Sequence, residues 1–212
     1  MIVRGTLVIH ARWIGLAIFI LVLVLSYPRV LRWLYPVPFK PAVERSAQEW
    51  GLDPFLLVAV MKVESSFNPR AQSAKGARGL MQIMPETGAW IARELGIEPF
   101  HPDDLFEPEV NLRIGAWYLT YLIRRFDGRL ALALAAYNGG QGNVKRWLDS
   151  MRWDGEEESV NDIPYGETRR FVLRVLRTYR IYQAAYGTWE SAKGPRWKER
   201  VVTGPLPTQG LI

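Results

Sequence analysis

Residues 53–70, DPFLLVAVMKVESSFNPR, read as a greasy helix that ends on a single acid, Glu64, set among apolar neighbours. Asp53 suits the N-cap and Pro54 the first turn, so the helix start is well marked. Counting from there, Leu57, Val60, Met61 and Glu64 recur at i, i+3, i+4 and i+7, which is one face of an α-helix. Glu64 therefore shares the buried face. It also lies near the helix C-terminus, where the macrodipole is negative. Low dielectric and dipole both favour the neutral acid over the carboxylate, which makes Glu64 a candidate proton donor. The plainer reading is an acid at the rim of that face, satisfied by a backbone amide or an arginine.

The rest of the chain narrows the chemistry. Its 212 residues suffice for one medium domain with appendages, and 49% apolar and 23% charged residues are the proportions of a globular protein. Nine tryptophans and nine tyrosines serve a core, and equally a groove that stacks on sugar rings. A net charge of +6 favours anionic partners, but no nucleic-acid motif accompanies it, so no nucleic-acid partner is predicted. The absence of cysteine removes disulfides, thiolate catalysis and cysteine-ligated zinc. His10 and His101 are the only histidines, which argues against a Ser-His-Asp hydrolase or an HExxH peptidase. Neither a cofactor nor a metal is predicted.

Residues 12–33, RWIGLAIFILVLVLSYPRVLRW, form the one strongly apolar stretch. From Trp13 to Trp33 a helix covers about 31 Å at 1.5 Å per residue, provided Arg29 and Arg32 snorkel. That matches a hydrocarbon core of about 30 Å, with tryptophan at both interfaces. A single transmembrane anchor is preferred over a cleaved signal peptide, because no A-x-A-like cleavage site follows. The flanking arginines balance and leave its orientation open. YPVPFKP, residues 35–41, reads as a stiff extended spacer.

Residues 1–40 are thus expected to be anchor and spacer, 41–188 a helical domain, and 189–212 a polar, partly ordered tail. Helical patterns run through residues 42–51, 85–96, 108–128, 129–140 and 167–187, and only GLMQIM (79–84) hints at extended chain. Arg170, Arg174 and Arg177 line one side of the last helix as a solvated stripe. After Glu64 come Ser73, the turn-permitting Gly76 and Gly79, and then Gln82 and Met84 beside the next helix. The Gln82 amide can serve an N-acetyl or hydroxyl group, and Met84 an adaptable apolar wall. Tyr137 and Asn138 stand where an apolar helix meets a glycine turn, and Tyr165 precedes Glu167 at the start of the longest helix. There the positive dipole end favours an ionised carboxylate, in the role of a capping acid or an arginine partner. Asp103, Asp104 and Glu107 belong to a separate proline-rich loop.

ESSFNPRAQSAKGARGLMQIMPET, VNLRIGAWYL, LAAYNGGQGNV and IPYGETRRFVLRVLRTY, in that order across residues 45–186, resemble the lytic transglycosylases with a soluble-lytic-transglycosylase domain, glycoside hydrolase family 23. AYNGG stands where AYNAG is commoner. The resemblance implies an all-α, lysozyme-like domain with Glu64 as catalytic acid and base. It also implies Ser73, Gln82, Met84, Tyr137 and Asn138 toward substrate, with Glu167, Tyr165, Gly76 and Gly79 in support. The implied partner is peptidoglycan, cleaved without water between N-acetylmuramic acid and N-acetylglucosamine. The site would then lie outside the cytoplasmic membrane, on a single-pass protein. Alternatives are a hydrolysing muramidase of goose-lysozyme type and an inactive peptidoglycan-binding scaffold. Partners in cell-wall synthesis or division are left open.

Overall fold

A computed structural model of the chain describes residues 15, 18–23, 26–27, 29–187 and 189. Within them run α1 (Lys40–Trp50), α2 (Pro54–Ser65), α3 (Pro85–Glu94), α4 (Pro108–Arg125), α5 (Leu130–Gly139), α6 (Gln141–Asp149) and α7 (Gly166–Tyr186). Short 3₁₀ turns cover Pro102–Phe106 and Val160–Asp162. Extended pairing among the described residues is limited to two isolated bridges, Gln72 with Arg78 and Arg78 with Ile83, in the region of GLMQIM. The sequence pattern ends a helix at the glycines of 139–140 and offers none for residues 141–149; α6 follows there after the single residue Gly140 at φ 83°.

The start of α2 follows its sequence. Asp53 accepts a hydrogen bond from the Phe55 amide at 2.8 Å, and Pro54 occupies the first turn. Burial of α2 exceeds a single face, however, because every residue from Phe55 to Met61 is buried. This helix is a central core element, and only its last turn, from Lys62, emerges. α5 repeats the arrangement: Ala131–Ala136 are buried all round, and Tyr137–Gly139 emerge. A helix apolar on every side belongs in the middle of a domain. Here two such helices surrender their polar ends to the surface.

α2 packs most extensively on α7. The two run antiparallel. Tyr179 of α7 donates to Asp53 at 2.6 Å, and Phe55 stacks on Tyr182 at 6.4 Å, so the start of α2 lies against the end of α7. Residues 35–39 do not form the extended spacer expected of their prolines. They turn back onto α7, where Tyr182 donates to Pro36 O at 2.8 Å and Tyr186 to Tyr35 O at 2.9 Å. Tyr35, Val37 and Phe39 pack on the core.

Every described position from 15 to 34 is helical. No helix among the described residues is both long and apolar enough to cross a membrane. The polar tail lies outside the described residues apart from Trp189, which is buried against Phe55 and donates to Glu44 at 2.9 Å.

Candidate active site

Glu64 sits half-buried in the emerging turn of α2. Immediately beyond it the chain makes a costly bend, with Ser66 and Phe67 both left-handed at φ 51° and 67°. Neither is glycine, and such conformations persist where the surrounding structure enforces them, commonly at functional sites. Ser65 helps to enforce this one. Its hydroxyl lies 2.8 Å from Leu80 O and 3.1 Å from Met61 O, and so joins the end of α2 to the loop before α3.

That loop, residues 71–84, closes over the end of α2. Ser73 Oγ accepts from the Ala77 amide at 3.0 Å, which seals the 73–77 turn around Gly76 at φ 88°. Gly79 has a stronger reason to be glycine: a Cβ there would meet Leu105 O at 2.0 Å and Asn111 Nδ2 at 2.3 Å. The close approach is therefore by the protein's own chain. Gln82, also left-handed at φ 49°, donates its amide to Ala71 O at 3.1 Å and Gly79 O at 3.0 Å, so its hydrogens hold the loop. Met84 stands part-exposed before α3.

Tyr137, at the end of the other buried helix, donates to Met81 O at 2.7 Å and stacks on Phe171 at 6.2 Å. Burial first, and then the neighbouring Glu64, hold its phenol well above the ordinary range. Asn138 beside it is half-buried. Tyr165 is half-exposed, edge-on to Trp147 at 5.0 Å, with its hydroxyl 3.3 Å from Asn143 Oδ1. Glu167, in the first turn of α7, faces Lys75 across 3.6 Å. The partner is a lysine from the loop and not the expected arginine. Both side chains are exposed, so the pair itself adds little stability.

Electrostatics concentrate on one group. Burial pushes the Glu64 carboxyl up to about 8, the Glu167 carboxylate pushes in the same direction, and Arg174 works against both. The sequence anticipates desolvation but not the second carboxylate, and Arg174, on the stripe read as merely solvated, is close enough to be felt.

Sequence reasoning also missed Asn111. It is fully buried on α4, donates to Arg78 O at 2.9 Å and Leu105 O at 2.8 Å, and accepts from the Met81 amide at 2.8 Å. One side chain thus fixes the loop that carries Gln82 and receives the Tyr137 bond. The available signal was a buried-pattern asparagine within VNLRIGAWYL. Asp103 likewise proves tied to the loop, 2.6 Å from Arg78. What results is a half-buried carboxyl of raised pKa at the end of α2, beside a braced loop and close enough to Tyr137 and Glu167 to feel both.

Known proteins share this arrangement of sequence and fold. Residues 41–160 match the family model described as the transglycosylase SLT domain. The soluble lytic murein transglycosylase of Salmonella typhimurium is 32% identical over 169 residues, which take in 78% of this chain and 26% of that protein. Membrane-bound lytic murein transglycosylase F of Desulfosudis oleivorans is 33% identical over 180 residues, covering 78% and 35%. The solved 70 kDa soluble lytic transglycosylase of Escherichia coli superposes with a TM-score of 0.68 at 32% identity, over 74% of this chain and 26% of that one. The helical, lysozyme-like architecture of the described residues is therefore a shared fold, and the chain spans only about a quarter to a third of the length of these relatives.

Proposed function

The chain belongs to the family of transglycosylase SLT domains, and from that premise we propose that it is a peptidoglycan lytic transglycosylase with Glu64 as its lone acid and base. The observation that carries this reading is the half-buried carboxyl at the end of α2, held protonated to about 8. Protonated Glu64 donates to the glycosidic oxygen between N-acetylmuramic acid and N-acetylglucosamine, and the C1–O bond breaks. Carboxylate Glu64 then takes the proton from the muramoyl 6-hydroxyl as that oxygen bonds to C1. The product is a 1,6-anhydro sugar, and Glu64 is again protonated with no water consumed. An internal hydroxyl held near C1 has the entropic advantage of an intramolecular nucleophile.

Tyr137, Asn138, Met84, Gln82 and Ser73 are assigned to the walls of the sugar groove, with Gly76, Gly79 and Tyr165 in support. Glu167 is assigned an electrostatic role. It is 70% exposed, pairs with Lys75, and its charge favours the protonated state of Glu64.

Residues 1–40 are assigned to a single-pass anchor and juncture, 41–188 to the enzyme domain, and 189–212 to a tail. Six consecutive residues, Ile18 to Leu23, are each at least half-exposed. At 100° per residue they point in every direction, which suits a lipid environment better than a groove on another protein. Ser26, just beyond that run, bonds back to Val22 O, so its hydroxyl asks nothing of its surroundings. Because peptidoglycan lies outside the cytoplasmic membrane, the enzyme domain is placed on that side.

Mass spectrometry of muropeptides released by the full chain tests the activity. The expected products end in 1,6-anhydromuramic acid. Dominant reducing muramic acid would replace this reading with the hydrolysing muramidase, and no release at all with the inactive scaffold.

A further inference from the structure

The apolar N-terminal segment does not lead into a free tether. Arg32 Nε donates to Ala185 O at 3.0 Å, on one of the last carbonyls of α7, and its guanidinium lies 5.2 Å from the Tyr186 ring centre. Tyr186 and Tyr182 return hydrogen bonds to the carbonyls of Tyr35 and Pro36. Tyr35 packs edge-on against Tyr182 at 5.7 Å, and Lys62, two residues before Glu64, sits over the Tyr35 ring at 5.6 Å. Helix, turn and catalytic domain therefore meet through several bonds from different elements, which together leave little freedom to swing.

We propose that this juncture holds the sugar groove at a fixed height, within about 30 Å of the outer membrane-water interface, so that the enzyme's substrate is glycan presented at the bilayer surface. The inference rests on the reading of the N-terminal segment as an anchor and of Glu64 as the acid. The height follows from helix lengths. α7 connects the juncture at Tyr186 to Glu167, and nineteen steps at 1.5 Å make about 28 Å. α2 connects Phe55, packed on Tyr182 and Tyr186, to Glu64 over about 13 Å. Those lengths are upper limits whatever the tilt of the domain. An enzyme so held meets strands still close to the membrane at a high effective concentration, and meets cross-linked wall farther out only when it comes down to the bilayer. The class of reaction that supplies such a substrate is membrane-bound glycan polymerisation.

The chain has no cysteine, so one introduced at exposed Arg70, beside the groove loop, is a unique labelling site. The test places full-length R70C, carrying a donor dye, in lipid vesicles with headgroup acceptors, and compares it with a variant that leaves the Trp13–Trp33 span whole but carries Arg32→Gln and a twenty-residue Gly/Ser insertion between residues 34 and 35, which separates the anchor from the Tyr35 and Pro36 contacts. Such an insertion adds a flexible reach of about 25 Å. The juncture predicts one narrow, efficient energy-transfer population for R70C, and weaker, broader transfer for the insertion. The same vesicles are then offered uncross-linked glycan carried on a lipid in the bilayer, or purified cross-linked sacculi. R70C should favour the lipid-borne glycan by about tenfold or more, and the insertion should reduce that ratio several-fold. Broad transfer in R70C, or a ratio unchanged by the insertion, overturns the proposal. Detergent-solubilised chain separates the two readings: if it cleaves neither substrate the proposed activity has failed, while energy transfer still decides the height.

Discussion

The two ends of the α2–α7 pair are built on opposite principles. At one end Asp53 caps α2 and takes the Tyr179 hydroxyl, and Phe55, Tyr182, Tyr186 and Trp189 close an aromatic cluster around it. Polar groups there are matched and rings fill the space. At the other end Glu64 is half-buried, an exposed carboxylate stands near it, and two non-glycine residues hold left-handed backbone. Stability is concentrated where the helix pair meets the juncture, and electrostatic tension around Glu64, at the end where the sugar groove is proposed. A domain with a large core can carry a few unfavourable groups, and those groups mark the site.

Substitutions at the groove end should change turnover and leave the fold standing. Glu64→Gln has the largest expected effect: a loss of about a hundred- to ten-thousand-fold in muropeptide release, since the amide cannot give and recover a proton. The same variant should be more stable than wild type in alkaline solution. A carboxyl raised above its ordinary 4.5 contributes stability that is fully present below that value and lost as pH rises through about 8. Thermal unfolding below pH 4.5 and above pH 8 checks the sign, with the gap opening only at the alkaline side. A variant as active as wild type would remove the distinction between the two ends.

Asn111→Ala should cost about 3 kcal/mol in denaturant unfolding, because it leaves buried backbone groups of the loop without partners. It sharpens the comparison by showing how much rigid structure the groove end borrows from α4. Tyr179→Phe, at the matched end, should cost about 1.5 kcal/mol through its bond to the Asp53 carboxylate, and leave the pH dependence of turnover unmoved.

Neutralising the charges around Glu64 has subtler effects. Turnover should fall as pH rises through about 8, as Glu64 loses its proton. Glu167→Gln should move that alkaline limb to lower pH, and Arg174→Gln to higher pH, since the first charge raises the Glu64 pKa and the second lowers it. Tyr137, the other titratable group against Glu64, stays neutral over this range. Lys75→Ala should change stability by less than about 1 kcal/mol, as expected for an exposed pair.

The sequence carried what depends on neighbours along the chain. The Asp53 cap, the proline starts of α2, α3 and α4 and the position of Glu64 all follow from local spacing and capping chemistry. What it could not carry depends on partners far away in the chain. The three bonds of Asn111 reach residues 78, 81 and 105, and the choice of Lys75 for Glu167 is made by loop closure. Prolines at 36 and 38 suggest extension, yet tyrosines about 150 positions later fold that segment back. Gln82 looked free to bind sugar because nothing local shows that Ala71 and Gly79 claim its hydrogens.

The central claim is that burial and a neighbouring carboxylate keep Glu64 protonated at neutral pH. The most direct measurement is a carboxyl-carbon NMR titration of Glu64 in the full-length protein, repeated with Glu167→Gln. A midpoint near 8 that falls in the variant is the predicted result. A midpoint near 4.5 in both proteins would contradict it.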